Sequence, residues 1–317
     1  MATTSDTTSG AERFSGVLAP VITPFREDLS PDQDKFNRHC QWLLGQGVNL
    51  AVFGTNSEAN SLGLQEKRGL LDGLLKAGVS PAQLMPGTGN CSLIDAVELT
   101  RHAVAAGCRG VLMLPPFYYK GVSDDGLFRF YAEVIERVGD AGLAGVKLYL
   151  YNFPLMSQVP LSVALIDRLV QAYPDAVAGV KDSSGDWDNI QAMLNRNWPD
   201  FRVFCGSESL LLQTLRSGGA GCISATANVN PAAIARLHKT WADDDADADS
   251  QQAQLDVIRQ IFQSLPIIPA LKAATADYSG DEHWARLRPP LVALNSEQRQ
   301  ALRQALGKAG FQMPALT

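Results

Sequence analysis

Eight short apolar runs, each followed by a stretch of helical periodicity, constrain the fold of this chain more than any other feature of its sequence. The runs span residues 16–22, 48–53, 84–87, 110–114, 147–152, 176–181, 202–206 and 221–225. Apolar residues occupy consecutive rather than alternate positions in each run, as in strands covered on both faces of a parallel sheet. The segments between them carry start signals, faces and stops in order. After Ser123, residues Leu127, Phe130, Tyr131, Val134, Ile135 and Val138 mark one apolar face, and Gly139 follows. After Ser162 the same spacing gives Leu165, Ile166, Leu169, Val170 and Tyr173, stopped by Pro174. After Ser92 come Ile94, Val97 and Val104, ending near Gly107. Ser at each N-cap accepts a hydrogen bond from an otherwise orphaned backbone N–H of the first turn.

Such alternation, joined by right-handed crossovers, closes naturally into a (β/α)8 TIM barrel of the α/β class. The rival, an open doubly wound sheet, is disfavoured because no G-x-G-x-x-G turn follows the first strand. A barrel takes about 250 residues, which leaves part of a 317-residue chain for a C-terminal helical appendage. The expected division is a frayed tail over 1–15, a barrel over 16–242, and an acidic linker with helices over 243–317. The linker opens with D-D-D-A-D-A-D at 243–249, read as a solvated stretch, and two or three helices are expected over about 251–277 and 296–310.

Composition narrows the partners. The net charge is −6 and no Lys/Arg cluster occurs, so the basic patch that a nucleic-acid partner needs is missing. No apolar run reaches the length of a membrane span. Five scattered cysteines without a C-x-x-C read as reduced thiols in a cytoplasmic protein. The polar, Ser/Thr-rich start has neither the basic nor the apolar region of a signal peptide.

In a barrel of this kind the active site lies at the C-terminal ends of the strands, so polar residues that end apolar runs carry the interest. The run at 176–181 delivers Lys181. An amine among apolar walls loses solvation of its charged form, and the neutral form that attacks a ketone gains. Spacing alone leaves open a lysine that merely snorkels at a strand end. The run at 147–152 ends with Tyr151, a phenol that can shuttle protons or, equally, a packing aromatic. The run at 48–53 leads into F-G-T-N-S-E-A-N at 53–60, where exposed N–H groups with Thr55 and Asn56 suit a carboxylate, or form a loop without a ligand. The four histidines are dispersed, so no metal site and no metal-dependent aldolase is expected. No cofactor motif appears either: there is no Walker A loop, nucleophile elbow or dinucleotide fingerprint.

At these residues the chain resembles the family of dihydrodipicolinate synthase and N-acetylneuraminate lyase, class I Schiff-base aldolases. The matching blocks are V-I-T-P-F (21–25), G-T-N-S-E (54–58), P-G-T-G (86–89), P-P-F-Y-Y (115–119), Y-N-F-P (151–154), G-V-K (179–181) and G-G-A-G-C-I-S-A-T-A-N (218–228). Each is weak alone; their order and spacing from about Gly16 to near Gly310 carry the resemblance. It implies that Lys181 forms a Schiff base with a 2-keto acid and that Tyr151 relays protons. It implies that Thr55 links Tyr151 to a second tyrosine, Tyr118, which reaches across a tight dimer interface into the neighbouring site. It implies that N–H groups around Thr55 and Asn56 hold the carboxylate, that Gly206 and the carbonyl of Ile223 line the pocket, and that the chain is a homotetramer built as a dimer of dimers.

The departures from the family are specific. Asn56 and Ser57 stand where most members have Thr and Gly, and Ser57 lacks the φ freedom of glycine. Met156 stands where the synthase has an arginine that holds the carboxylate of its aldehyde substrate. Methionine cannot make that charge-assisted bond, a loss of about 2–5 kcal/mol of binding for such a substrate. Ala225 replaces a serine of the sialic acid lyases, while Ser183, Glu208 and Ser209 occupy acceptor-side positions that suit hydroxyls. The expected activity is therefore a Schiff-base lyase, by retro-aldol cleavage or dehydration, on a small-molecule 2-keto acid with a polyhydroxylated or uncharged tail. The alternatives are a true dihydrodipicolinate synthase, which needs another cation near the pocket mouth, and a non-catalytic metabolite-binding barrel.

Overall fold

The structure, a computed structural model, describes residues 13–143, 145–244 and 246–314, so most of the expected frayed tail, 1–12, lies outside the described residues. Seven of the apolar runs form regular strands: β1 (Gly16–Ala19), β2 (Asn49–Leu50), β3 (Val111–Met113), β4 (Leu148–Asn152), β5 (Val177–Asp182), β6 (Arg202–Cys205) and β7 (Gly221–Ile223). All pair in parallel, in the order β2-β1-β7-β6-β5-β4-β3. The run at 84–87 closes the ring through isolated bridges, Leu84 with Leu50 and Gly87 with Leu112. Pro86 in its middle has no N–H to give a regular ladder. The carbonyl of Pro86 still accepts from Leu112 N at 2.9 Å, and the N–H groups of Met85 and Gly87 reach β2 and Val52 at 2.8 and 2.7 Å. The sheet is thus a closed (β/α)8 barrel.

Its interior is filled by inward side chains from every run: Leu18, Ala51, Met85, Leu112, Tyr149, Ala178, Phe204 and Ile223 pack as one buried cluster. Small Ala51 and Ala178 make room for the rings of Tyr149 and Phe204, whose centroids lie 6.1 Å apart. The N-terminal segment plugs the bottom, where Phe14 N donates to the Tyr149 hydroxyl at 2.9 Å. The larger cluster lies between strands and helices and takes up the helix faces anticipated from periodicity, except for Ile94, which is 60% exposed. Ser92, Ser123 and Ser162 each accept from the N3 backbone N–H of the helix that follows, as their position in the sequence implies.

Past the barrel, helices span Ala248–Gln263, Ile267–Ser279 and Ser296–Lys308. The first begins within the acidic stretch at 243–249, and Pro266 separates it from the second, so three helices fill the region where two or three were expected. No helix among the described residues is long and apolar enough to cross a membrane. This appendage lies against the C-terminal mouth of the barrel, and that placement decides the shape of the site.

Candidate active site

Strand alternation alone would turn Lys181 the wrong way. Ala178 points into the barrel, so a regular strand would send position 180 inward and 181 outward. A register shift between β4 and β5 prevents this: Leu148 pairs with Val177, but Tyr149 pairs with Gly179, leaving one extra residue on β5. Such a bulge re-aims the side chains beyond it. Val180 then packs in the outer core and Lys181 faces the barrel interior, opposite Tyr151 in the ladder. Gly179 is required at the bulge, since a Cβ there would sit 2.3 Å from the Arg202 carbonyl and 2.8 Å from the Tyr149 ring.

The Lys181 nitrogen lies 4.2 Å from the centroid of the Tyr151 ring, and both residues are buried, at 3% and 4% exposure. The Tyr151 hydroxyl is 3.3 Å from Thr55 Oγ1. Three lysines are buried among the described residues, and their surroundings differ. Lys272 is ion-paired with Glu58, and Lys67 lies in the field of Asp95. Lys181 has neither a hydrogen bond nor a carboxylate partner among the described residues. A buried amine without a hydrogen bond or carboxylate partner is committed to no structural contact, which suits a nucleophile.

Thr55, Asn56, Tyr151 and Lys181 line a cavity of about 520 Å3, which Ser183, Gly206 and Ser209 also border. That is the size of an ordinary small-molecule site. Gly206 is essential to its shape: a Cβ there would fall 2.1 Å from Ser183 Oγ. At the carboxylate loop the left-handed backbone falls on Phe53 (φ 61°) and Glu58 (φ 56°), flanking the turn Thr55–Ser57. Ser57 itself is unstrained, and its Oγ accepts from Gly54 N at 3.2 Å. The exchange of glycine for serine is therefore absorbed without a backbone penalty.

Three of the residues singled out in the sequence stand apart from this cavity. Glu208 is buried, and its carboxylate takes hydrogen bonds from Ser224 and Thr226 and an ion pair from Arg259 at 3.3 Å. Ile223 is fully buried in the barrel interior. Tyr118 is 74% exposed and meets Tyr119 edge-on at 5.3 Å.

Apart from Met156, no sequence signal marked the wall opposite. Arg259 and Gln263, from the helix Ala248–Gln263, and Leu265, Ile267 and Ile268 just beyond it, line the cavity together with Met156. Arg259 is 13% exposed; besides Glu208, its guanidinium donates to Ser224 Oγ at 3.2 Å and to Gln263 at 3.2 Å. A cation does face the pocket, but one already matched by a buried carboxylate. Such an arrangement offers an amine that can add to a carbonyl, a phenol beside it in contact with a hydroxyl, and a far wall where Arg259 and Gln263 stand among apolar residues.

The profile of the dihydrodipicolinate synthetase family matches residues 13–309. The chain belongs to that family. A 4-hydroxy-tetrahydrodipicolinate synthase of Thermus thermophilus is 31% identical over 301 residues, covering 94% of this chain and 97% of its own. Among solved structures, dihydrodipicolinate synthase from Agrobacterium tumefaciens superposes with a TM-score of 0.85 at 32% identity, over 93% of this chain and 99% of that one. A prophage protein of the dihydrodipicolinic acid synthase family from E. coli, solved in complex with pyruvate, gives 0.85 at 28% identity, over 94% and 99%. Membership of the dihydrodipicolinate synthetase family makes this chain a lyase of the class I, Schiff-base type acting on a 2-keto acid.

Proposed function

We propose that this lyase cleaves or dehydrates a 2-keto-3-deoxy acid with a polyhydroxylated, uncharged tail, and that pyruvate is the product of cleavage. Lys181 attacks the C2 carbonyl, and the carbinolamine loses water to give an iminium. In cleavage, Tyr151 takes the proton from the C4 hydroxyl, the C3–C4 bond breaks, and its electron pair passes into the iminium as an enamine. The aldehyde leaves, the enamine regains a proton at C3, and water releases the keto acid. Backbone N–H groups around Thr55 and Asn56 seat the carboxylate, while Ser183, Gly206 and Ser209 border the tail. The observation that carries this reading is the unpaired, buried Lys181 amine over the Tyr151 ring.

Tyr151→Phe is expected to keep the borohydride-trapped pyruvate adduct on Lys181 while turnover falls by about 10²–10⁴-fold, the usual contribution of a positioned acid–base group. Turnover within threefold of wild type would remove Tyr151 from the proton path.

The tail assignment rests on two side chains. Met156 gives no charge, and Arg259 is matched by Glu208, so the far wall offers hydrogen bonds without a free cation. A panel of 2-keto-3-deoxy acids, scored for pyruvate release and for dehydration products, tests this. Arg259 also supports a second reading, in which it meets the carboxylate of aspartate semialdehyde and the chain is a 4-hydroxy-tetrahydrodipicolinate synthase. A reductase-coupled assay separates the two: robust turnover there, abolished by Arg259→Met, overturns the uncharged-tail reading. The expected result is no synthase turnover, with Arg259→Met raising KM for the sugar acid by about 10-fold, the loss of one charge-assisted hydrogen bond.

Tyr118, Tyr119, Leu155 and Met156 are all exposed, and the loops that bear them are tied by Lys120 Nζ donating to Ser157 O at 2.8 Å. This apolar rim beside the cavity supports a subunit contact that brings Tyr118 to a neighbouring site, within a homotetramer built as a dimer of dimers. Free, mostly buried cysteines support a reducing, cytoplasmic setting.

A further inference from the structure

Behind the catalytic pair, on the opposite face of the same two strands, lies a polar cluster that the Schiff-base chemistry does not use. Asn152 follows Tyr151 and Asp182 follows Lys181, and the two are ladder partners, as are Tyr151 and Lys181. By alternation they point away from the barrel interior. Both are buried, at 2% and 1% exposure. The Asp182 carboxylate takes four hydrogen bonds, all from neutral donors. One oxygen accepts from Asn152 Nδ2 at 2.6 Å and Asn189 Nδ2 at 2.7 Å. The other accepts from the Ser184 backbone N–H at 3.1 Å and from the Ser184 hydroxyl. Asn152 is fixed in turn, because its Oδ1 accepts from Leu161 N at 3.0 Å.

We propose that Asp182, clamped to Asn152, is the positioning residue that holds Lys181 inward and in register with Tyr151. The bulge on β5 leaves the phase of that strand unsettled, and a slip of one residue exchanges its two faces. Lys181 would then leave the cavity and Asp182 would enter it. The four-donor cage fixes Asp182 on the outer side, and so fixes Lys181 on the inner side. Burial raises the Asp182 carboxyl above the usual carboxylate range, and the hydrogen bonds from Ser184, Asn152 and Asn189 oppose that rise by favouring the acceptor form. The cage cannot be satisfied by an amide. In the substitution Asp182→Asn, an NH2 placed at one oxygen position faces the Ser184 N–H. Placed at the other, it faces Asn152 Nδ2, which cannot flip without stranding Leu161 N.

This inference rests on the Schiff-base role of Lys181, and the test keeps the two separable by using pyruvate alone. The readouts are solvent exchange of the pyruvate methyl protons, followed by NMR in D2O, and borohydride trapping. Failure of the wild-type protein in both would count against the Schiff-base reading itself. With wild-type exchange established, Asp182→Asn and Asn152→Ala are expected to slow it by about 10- to 100-fold, the scale of a small misplacement of a reacting group. Half-saturation for pyruvate should stay within about threefold, because the carboxylate loop is untouched. Asn189→Ala serves as the control: it removes a donor from the same oxygen but does not bridge β4 to β5, so it should exchange within about twofold of wild type even where it melts earlier. Wild-type exchange in Asn152→Ala overturns the proposal. So does an equal loss in Asn189→Ala and Asn152→Ala, which would mark the cage as general support. Should Asp182→Asn not fold, the two asparagine variants decide the matter, since both keep the carboxylate.

Discussion

Lys181→Met should lose turnover by on the order of 10⁴–10⁶-fold and yet unfold no more readily than the wild-type protein. The first half follows from chemistry: without the amine there is no iminium to accept the electron pair of the breaking bond. Borohydride reduction in the presence of pyruvate should place the mass increment on the peptide bearing Lys181 and leave the variant unmodified. The second half follows from the surroundings. The Lys181 nitrogen has no hydrogen bond or carboxylate partner among the described residues, so its removal strands no other group. An unpaired buried amine is a burden on the fold, and methionine of similar length fills the same space against the Tyr151 ring without it. Equal or higher stability with no activity is the signature of a residue retained for function at the expense of the fold. An adduct on another lysine, or a variant that keeps turnover within tenfold, would refute the mechanism.

What the sequence could and could not reveal follows from the reach of its signals. Strand runs, serine caps and the order of elements are local, and they placed Lys181 and Tyr151 at neighbouring strand ends. Four features escaped because they depend on contacts between distant segments or on backbone detail. The bulge at Gly179 is invisible to hydrophobic pattern, yet it turns Lys181 into the barrel. The run at 84–87 reads as a strand although Pro86 leaves it only bridges. Arg259 looks like any polar residue on an amphipathic helix, and nothing local says that this face closes the cavity. The same holds for Glu208, whose position beside strand β6 suggests a hydroxyl contact while its carboxylate is directed to Ser224, Thr226 and Arg259.

Glu58 and Lys272 form the other buried feature with a large expected effect. Both side chains are fully buried. Glu58 also accepts from Arg288 N at 2.9 Å, and Lys272 donates to the Arg286 carbonyl at 2.6 Å and lies 4.4 Å over the Phe25 ring. Removing one partner leaves the other uncompensated, so Lys272→Met should lower stability by about 3–5 kcal/mol in urea denaturation. Burial holds the Lys272 ammonium at about 8, against 10.5 for the free group, even with Glu58 in contact. The pair therefore does not fully offset its own desolvation, and the double variant Glu58→Gln with Lys272→Met should recover most of the lost stability. The sign of the pH effect follows. Between about pH 8 and 10.5 the unfolded chain carries a proton on Lys272 that the folded chain lacks, so this group makes stability rise with pH in that window. The rise should be absent from Lys272→Met and so appear in full in the difference between wild type and that variant. The pair is then kept for what it holds in place: Glu58 ends the turn Thr55–Ser57 in left-handed backbone, and Lys272 ties that turn to the helix Ile267–Ser279, whose first residues line the cavity. Accordingly the double variant should fold well and bind pyruvate about tenfold more weakly, as expected when a binding loop loses its preorganisation. A single variant within about 1 kcal/mol of wild type, or a double variant with unaltered pyruvate affinity, would show that the turn is held by other contacts.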